Sequence, residues 1–330
     1  MTFIEKVWFD NLPQYQLVKW VLLPLTCLFW LLSGLRRAGY KLGWLKSHKI
    51  PVPVIVVGNI SVGGNGKTPL VVYLAKWLTE QGYKPGILSR GYGGNASLFP
   101  SSVDFESDVN RVGDEPLLIK RRANCPVVID PKRPRGAKYL VDKHQCNVVI
   151  CDDGLQHYAL QRDIEIVVID GARKHGNGWL LPMGPLREKQ SRLKTVDFVI
   201  NNSGSPIPPE IPMEIKSGDF INVKDGNQHK AVADFNEPVT AIAAIGNPQR
   251  FYNLLAHLQV PVKQHISFLD HYQFKQLDFP NGTIVMTEKD AVKCRDIAKD
   301  SWWFLPIYAK LPESFSQQLK QKLDSIDKDT

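Results

Sequence analysis

One stretch decides the fold: VPVIVVGNISVGGNGKTP, residues 52–69. Its first part, 52–59, is a continuous apolar and mostly β-branched run, which is typical of a strand covered on both faces. The glycines that follow allow consecutive backbone N–H groups to curl around phosphate oxygens. Lys67 and Thr68 then open a helical pattern, where a P-loop places the lysine that reaches the β- and γ-phosphates and the hydroxyl that binds Mg²⁺. The stretch therefore predicts a P-loop.

Ser61 stands where the first glycine of a P-loop is expected. Serine can make the same turn, so the strand–loop–helix context still favours nucleotide binding over a plain glycine-rich turn. The predicted nucleotide-binding residues are Ser61, Val62, Gly63, Gly64, Asn65, Gly66, Lys67 and Thr68.

Beyond the P-loop, buried strands alternate with helices. Apolar runs predict strands at 84–90, 126–130, 147–153, 164–170 and 196–202. Strands that alternate with helices form parallel sheets covered by helices on both faces. The sequence therefore predicts an α/β fold whose core is a P-loop NTPase-like parallel sheet.

A break rich in Pro, Gly and Ser at 201–212 is the best candidate for a linker. Strand and helix patterns restart after it, which predicts a second, smaller α/β domain. The expected organisation is an N-terminal membrane-associated helix with its basic flank at 1–40, a P-loop domain at 41–205 and the smaller C-terminal domain at 206–330.

The composition indicates the cellular compartment of the protein and the kind of partner it binds. With 43% hydrophobic and 22% charged residues, the 330-residue chain is a folded protein rather than a disordered one. The five cysteines include no CxxC pair, so they indicate isolated thiols in a reducing compartment. The net charge of +8 is concentrated in residues 11–50, which contain six Lys or Arg and no Asp or Glu. Because this basic segment borders an apolar run, it favours a membrane surface over nucleic acid.

The apolar run is WVLLPLTCLFWLLSGL, residues 20–35, flanked by Lys19 and by Arg36 and Arg37. A helix of this length spans roughly 24 Å, which is short of a hydrocarbon core of about 30 Å. Pro24 interrupts the run, and no small-residue cleavage site follows it, so a secretory signal is not expected. The run predicts a helix embedded in the membrane or crossing it shallowly, with a buried core helix as the alternative. By the positive-inside rule, the basic flank keeps the rest of the chain in the cytoplasm.

Two carboxylates follow a buried strand. Asp152 and Asp153 lie at the end of the run 147–153, 84 residues after Thr68. In P-loop proteins, a carboxylate at such a strand end holds Mg²⁺ directly or through water. The alternative is an Asp-Gly turn. Beside a P-loop, the pair favours a magnesium site made by Thr68, Asp152 and Asp153.

Two further stretches bear possible chemistry. In RVGDEPLLIKRR, residues 111–122, Asp114 is placed like a helix N-cap. A capping carboxylate can also be catalytic, and the residues alone leave both interpretations open. The glycine-rich SRGYGG, residues 89–94, is suited to a lid or substrate loop in which Arg90 would contact an anion.

Seven motifs occur in order along the chain: GNISVGGNGKTP, LSRGYGG, GDEP, CDDGLQH, GNGWLLPMGPLRE, DHYQF and MTEKDAVK. Together they resemble the tetraacyldisaccharide 4′-kinase family, the lipid A 4′-kinases of Gram-negative bacteria. The resemblance covers nearly the whole chain, including the N-terminal apolar run. The family also carries Ser or Thr at the first P-loop position, so Ser61 is not a departure from it.

The resemblance implies a kinase that transfers the ATP γ-phosphate to the 4′-hydroxyl of a tetraacylated glucosamine disaccharide 1-phosphate, giving lipid IVA. It implies ATP and Mg²⁺ as cofactors and makes 41–205 a kinase domain. The expected location is the cytoplasmic face of the bacterial inner membrane. The expected partners are the lipid substrate and the membrane surface, with no nucleic acid and no obligate protein partner.

The resemblance also assigns catalytic residues. The family's catalytic pair falls on Asp114 and His271, which activate the acceptor hydroxyl. Lys67, from the P-loop pattern, is the third predicted catalytic residue. His271 lies 157 residues after Asp114, in the second predicted domain, so the two would meet only across an interdomain cleft. Basic residues at 119–122 and 131–135 could meet the acceptor's 1-phosphate, although solvated charge is the commoner fate of such runs.

Three other functions compete with this one. ParA/MinD-like ATPases also combine GGxGKT with membrane helices, but their signature lysine precedes the two glycines, where this chain has Val62. A GTPase would need an [N/T]KxD motif that reads the base, and the sequence contains none. A membrane-tethered binding protein could use ATP as a structural ligand only. Acceptor-dependent consumption of ATP separates that last function from a kinase.

Overall fold

The computed structural model describes residues 3–10 and 12–328. Within these residues the strands are β1 (Val54–Gly58), β2 (Pro85–Ser89), β3 (Ser101–Val103), β4 (Val127–Ile129), β5 (Val148–Asp152), β6 (Ile164–Asp170), β7 (Phe198–Asn202), β8 (Ile211–Ser217), β9 (Phe220–Asn222), β10 (His229–Lys230), β11 (Val239–Ala243), β12 (Val262–Ser267), β13 (Ile284–Thr287), β14 (Trp302–Leu305) and β15 (Ile307–Lys310). The α-helices are α1 (Phe3–Phe9), α2 (Gln16–Lys41), α3 (Lys67–Glu80), α4 (Val109–Val112), α5 (Asp114–Ala123), α6 (Arg133–His144), α7 (Pro248–His257), α8 (Glu288–Cys294) and α9 (Glu313–Lys328).

A large sheet carries the P-loop. Its strand order is β15-β8-β7-β6-β1-β5-β2-β4-β3. The pairs β3–β4 and β8–β15 at its two edges are antiparallel, and the pairs between them are parallel. Every residue of β1 is buried, as the unbroken apolar run at 52–59 predicts for a parallel strand. Helices α3, α5 and α9 cover one face and α6 covers the other, so the predicted α/β fold is confirmed.

A second, smaller sheet has the order β10-β9-β14-β13-β11-β12. Phe251 and Leu255 of α7 pack into its core on one side, and Ala291 of α8 packs on the other. The chain enters this sheet after β8 and leaves it before β15, so the sheets divide the chain near residues 218 and 306 rather than after residue 205. The proline-rich break at 201–212 is the connection from β7 to the parallel strand β8. Composition marks such a connection as a break, but it does not show that the next strand returns to the same sheet.

The N-terminal helix α2 is longer than the apolar run predicts. It continues through Pro24 over 26 residues, a length of about 39 Å. The expected interruption at Pro24 is wrong, because a proline removes one backbone hydrogen bond and the remaining turns keep theirs. Residues 13–41 are long and apolar enough to cross a membrane, and only 11% of their most apolar window is buried. This exposure argues against the buried core helix.

The helix α2 is nevertheless fixed to the body of the protein. Thr26 accepts a hydrogen bond from the backbone N–H of Met183 at 3.1 Å, and Arg37 pairs with Glu188 at 3.2 Å. Trp8 of α1 donates to the carbonyl of Pro182 at 2.8 Å. One side of α2 is therefore docked, and the other presents apolar side chains to the surroundings.

Candidate active site

The P-loop connects the carboxyl end of β1 to α3, at the edge of the sheet where parallel strands place ligands. Gly63 and Gly66 have φ values of 107° and 85°, in the region that favours glycine. A Cβ added at Gly66 would overlap Nδ2 of Asn202, at the end of β7. That Nδ2 donates to the carbonyl of Asn65 at 2.8 Å, so the neighbouring strand fixes the shape of the loop.

Ser61 fits its position because its hydroxyl has a structural partner. Asn65 is buried and donates from Nδ2 to the Ser61 Oγ at 3.0 Å and to the carbonyl of Val168 at 3.3 Å. Serine therefore closes the loop internally and needs no positive φ. Val62 lies in the predicted phosphate cradle, but its N–H donates to the carbonyl of Pro185 at 2.8 Å. The Val62 amide is therefore engaged within the protein.

Lys67 lies at the start of α3 beside an acidic side chain. Its Nζ is 3.4 Å from Oδ1 of Asp153, whose Oδ2 is 3.3 Å from Nη1 of Arg187. Burial raises the pKa of Asp153, but the charges of Lys67 and Arg187 outweigh it and bring the pKa to about 2. Asp153 therefore stays ionised and holds both cations at the mouth of the P-loop.

Asp152 lies at the end of β5 in a very different environment. Its side chain is buried, and burial together with the negative charges of Glu115 and Asp153 raises its pKa to about 7. Carboxylates that repel one another next to a P-loop are suited to a divalent cation, which would relieve the repulsion.

The donors near the P-loop fit Mg²⁺, which usually takes one or two carboxylates together with substrate phosphates and waters. Across residues 3–10 and 12–328 no group of three or more His, Cys, Asp or Glu forms a metal cage, and Mg²⁺ at a nucleotide does not require one. The predicted ligands Thr68, Asp152 and Asp153 converge on this edge of the sheet. Of the two aspartates, Asp152 has the less compensated charge.

The structure brings Asp114 and His271 together. His271 Nδ1 lies 3.1 and 3.0 Å from the two carboxylate oxygens of Asp114. Burial would raise the pKa of Asp114, but the hydrogen bond with His271 and the charge of Lys289 outweigh it and lower the pKa. The same hydrogen bond raises the pKa of His271, although burial and Lys289 oppose the rise. The two side chains thus form a charge-assisted pair in which Asp114 is buried and His271 is half-buried.

The local backbone explains how each member of the pair is presented. Asp114 is the first residue of α5, and the N-cap is Gly113, so the expected N-cap role of Asp114 is wrong by one position. Gly113 has φ 91°, which only glycine adopts easily. His271 itself has φ 60°, in the loop after β12. Strained non-glycine backbone of this kind is concentrated at functional sites.

The glycine-rich loop after β2 borders the same pair. The ring of Tyr92 meets the imidazole of His271 edge-on, with 5.2 Å between centroids. A Cβ added at Gly93 would lie 3.5 Å from Nδ1 of His271. Arg90, the predicted substrate contact, is exposed beside this loop.

A cavity of about 1310 Å³ joins these parts. Its lining includes the P-loop, Arg90, His271, and Trp30 and Arg37 of α2. Small-molecule sites usually measure roughly 300–1,000 Å³, so this cavity can hold two substrates at once. Asp114 lies behind His271 and does not line the cavity, which leaves the imidazole as the accessible member of the pair.

Two cations in the second sheet's domain were not found from the sequence. Lys289 contacts carboxylates on both sides of the cleft, and Arg250 of α7 donates to the carbonyls of Gly64 and Asn202 at 3.3 Å each. The motif MTEKDAVK contains Lys289, but nothing in its spacing indicates a partner 174 or 175 residues earlier.

The basic runs at 119–122 and 131–135 are candidate contacts for the 1-phosphate of the acceptor, but some of their side chains already pair with carboxylates of the protein. Arg122 pairs with Glu288 at 2.6 Å and Arg135 with Asp130 at 2.7 Å.

Known proteins match this chain along nearly its whole length. The sequence profile of the tetraacyldisaccharide-1-P 4′-kinase family, LpxK, matches residues 18–324. The tetraacyldisaccharide 4′-kinase of Pseudoalteromonas atlantica is 52% identical over 92% of this chain and 100% of its own length. That of Tolumonas auensis is 48% identical over 98% of each chain. The crystal structure of LpxK from Aquifex aeolicus in complex with ATP superimposes with a TM-score of 0.78 at 28% identity, over 93% of this chain and 99% of that one.

These matches confirm the resemblance drawn from the seven motifs and decide against the ParA/MinD-like alternative. They also agree with the architecture, because the solved structure covers both sheets of this chain. A profile match over residues 18–324 and relatives near 50% identity leave one conclusion: the chain belongs to the tetraacyldisaccharide-1-P 4′-kinase family.

Proposed function

We propose that this kinase transfers the γ-phosphate of ATP to the 4′-hydroxyl of a tetraacyldisaccharide 1-phosphate at the cytoplasmic face of the inner membrane, in lipid A biosynthesis. The observation that carries the proposal is the cavity that P-loop residue Lys67 and His271 both line. The solved relative with ATP bound supports nucleotide binding by this fold. Two separate elements, one for phosphates and one for a hydroxyl, are what phosphoryl transfer requires.

The P-loop holds the nucleotide. Backbone amides of 63–68 and the start of α3 attract the phosphate oxygens, and Lys67 neutralises charge at the β- and γ-phosphates. When phosphates arrive, they replace Asp153 as the partner of Lys67. Thr68 and Asp152 are the best placed protein ligands for Mg²⁺, which would offset the negative charge of the phosphates when bound. The pKa of about 7 for Asp152 supports this role, because a carboxyl pushed toward neutrality by burial and by its acidic neighbours gains most from a cation.

The Asp114–His271 pair activates the acceptor. The imidazole uses Nδ1 to meet the Asp114 carboxylate, which fixes the ring and its tautomer. Nε2, which lies 3.8 Å from Oδ2 of Asp270, is then the ring nitrogen that accepts the proton of the 4′-hydroxyl as that oxygen attacks. Asp114, only 4% exposed, acts on the imidazole and stabilises its protonated form.

The membrane-facing part of the cavity suits a lipid acceptor. Phe29 and Trp30 provide apolar lining at α2, and Arg36 and Arg37 lie beside them. Acyl chains would extend along the exposed side of α2, while the sugar headgroup reaches the cleft. Basic residues next to an apolar helix favour the anionic cytoplasmic leaflet at roughly 1 kcal/mol each.

The test is transfer of label from [γ-³²P]ATP to purified tetraacyldisaccharide 1-phosphate in detergent micelles, with the position of the new phosphate read by NMR. We expect transfer to the 4′ position that depends on Mg²⁺ and on His271. A 4′-deoxy acceptor is the matched control and should accept no label. ATP hydrolysis at an unchanged rate without acceptor, and no labelled lipid, would contradict the proposal.

A further inference from the structure

Lys289 lies at the junction of the two sheets and meets three carboxylates. Its Nζ is 3.1 Å from Oε1 of Glu115, 3.1 Å from Oδ1 of Asp270 and 3.8 Å from Oδ2 of Asp114. Glu115 and Asp114 begin α5 on the large sheet, whereas Asp270 precedes His271 in the loop of the smaller one. The side chain is only 14% exposed. A single ammonium group therefore joins the two halves of the catalytic pair.

The backbone around Lys289 is held firmly. Thr287 caps α8 by accepting from the N–H of Asp290 at 3.2 Å. The fully buried Asp290 carboxylate accepts from the N–H of Ala244 at 3.0 Å and pairs with Lys293 at 2.8 Å. These contacts tie the start of α8 to the end of β11. The backbone from which the Lys289 side chain extends is thus fixed by the core of the smaller sheet.

We propose that Lys289 is a positioning residue for phosphoryl transfer, which holds Asp114 and Asp270 together across the cleft and offsets their negative charge beside His271. The proposal rests on the proposed function, because it assigns Lys289 to the pair that activates the hydroxyl. Without this cation, the carboxylates of Asp114 and Asp270 would face the imidazole uncompensated, and the protonated imidazole would be favoured more strongly.

The electrostatics around His271 give the direction of the effect. Asp114 and Glu115 face the region from α5, Asp270 from its own loop, Tyr92 from the glycine-rich loop and Lys289 from α8. The hydrogen bond to Asp114 raises the pKa of His271, whereas burial and the charge of Lys289 lower it. Loss of Lys289 therefore raises this pKa further. Because Nε2 must be neutral to accept a proton, activity should then begin at a higher pH.

The kinetic experiment compares Lys289→Gln, Lys289→Arg and the exposed control Lys299→Gln in the full-length enzyme. We expect the acid limb of the kcat/KM profile for Lys289→Gln to move upward by about one pH unit, the usual size for a lost neighbouring charge. Lys289→Arg should keep the limb in place, and Lys299→Gln should behave like the unchanged enzyme. A lower rate with an unmoved limb would show that Lys289 is a structural ion-pair partner only, and would overturn the proposal.

Asp270→Asn should move the acid limb in the opposite direction. A folding defect common to both variants would not produce shifts of opposite sign. Asp270 raises the pKa of His271, so its loss should move the acid limb downward while the amide still accepts from the His271 backbone N–H. Thermal unfolding and ATP affinity, measured on the same samples, identify any variant that fails to fold. Shifts in the same direction for Lys289→Gln and Asp270→Asn would contradict the electrostatic basis of the proposal.

Imidazole titration by NMR makes the test independent of kinase activity. His271 is one of eight histidines, and its resonance is the one absent from His271→Gln. Its midpoint should rise in Lys289→Gln and stay in place in Lys289→Arg; an unchanged midpoint in Lys289→Gln overturns the proposal. Absence of labelled lipid with the unchanged enzyme would instead overturn the proposed function, and the midpoint of His271 can still be measured in that case, so the two failures are distinguished by different measurements.

Discussion

The P-loop and the Asp114–His271 pair lie in one cavity but are built in opposite ways. The P-loop uses successive residues of one strand–loop–helix unit, whose shape depends on Gly66 and on a hydrogen bond from Asn202. The pair joins residues 157 positions apart, each presented by a different sheet. A continuous backbone motif keeps its shape when other domains move, whereas a pair that spans two sheets exists only while they meet. The chemistry of the acceptor is therefore linked to interdomain contact, and phosphate binding much less so.

Removal of the pair should have the largest effect on turnover. A positioned general base contributes about 10²–10⁴-fold, so we expect His271→Ala and Asp114→Ala each to lower kcat within that range with little change in the affinity for ATP. If the two act as a unit, the double variant should be little slower than the slower single one. Steady-state kinetics on the four proteins measure this. Losses that multiply fully would show two independent roles.

Removal of the P-loop lysine should have the second largest effect on turnover. Lys67→Ala deletes a charge that offsets negative charge developing on the phosphates, at a cost of about 10²-fold or more in kcat. Lys76→Ala, an exposed lysine on the same helix, is the matched control. Unlike the pair, Lys67 should also affect the binding of ATP in the absence of acceptor, which isothermal titration measures. Normal turnover by a folded Lys67→Ala variant would contradict the P-loop assignment.

Much of the phosphate side of the cavity can be predicted from the sequence, because it depends on neighbours in the chain. The glycines at 63, 64 and 66 and the Lys-Thr dipeptide specify a loop geometry whatever the rest of the fold does. The buried strand run before Asp152 likewise places its carboxylate at the carboxyl edge of the sheet. The residues alone, however, left the role of Asp114 open, and the link to His271 came from the resemblance to a known family.

The contacts across the cleft could not be predicted, because they depend on how the two sheets meet. Lys289, Glu115 and Arg250 gave no local signal, since an ion pair between distant residues has no spacing rule. The return of β15 and α9 to the first sheet was missed for a similar reason. The strand β15 is an edge strand of four residues that pairs antiparallel with β8. So short an edge strand has the same sequence pattern whichever sheet it joins.

Replacement of Gly66, which packs against Asn202, should have a smaller effect on turnover. Gly66→Ala would place a methyl group on Nδ2 of Asn202 at φ 85°, so the loop must deform. Strain of this kind costs about 1–3 kcal/mol, and we expect roughly tenfold weaker ATP binding with a lower unfolding temperature. Gly226→Ala, in open space at ordinary φ, is the stability control. Unchanged ATP affinity would show that the loop adapts without Asn202.

Replacements on the exposed side of α2, which lies outside both the P-loop and the Asp114–His271 pair, should have the smallest effect on turnover. Val21, Leu25, Leu28 and Leu32 form a helical stripe with exposures of 68, 54, 51 and 57%, and none of them lines the cavity. Replacement of all four by Ser should lower partition into anionic lipid vesicles about 10²–10³-fold, because burial of an aliphatic side chain contributes roughly 1.5–3 kcal/mol when complete.

The contacts that dock α2, from Thr26 and Arg37, are left intact by these replacements, so ATP affinity and turnover on micelle-dispersed acceptor should change less than about twofold. Vesicle sedimentation and isothermal titration on the same sample separate the two properties. Serine at the exposed Ile207 and Leu277 is the matched control, because these residues are apolar and exposed but lie outside α2. Vesicle binding that survives the quadruple replacement would show that α2 does not anchor the enzyme. A parallel loss of ATP affinity would instead show that α2 supports the nucleotide site, and that phosphate binding is less self-contained than the geometry of the P-loop indicates.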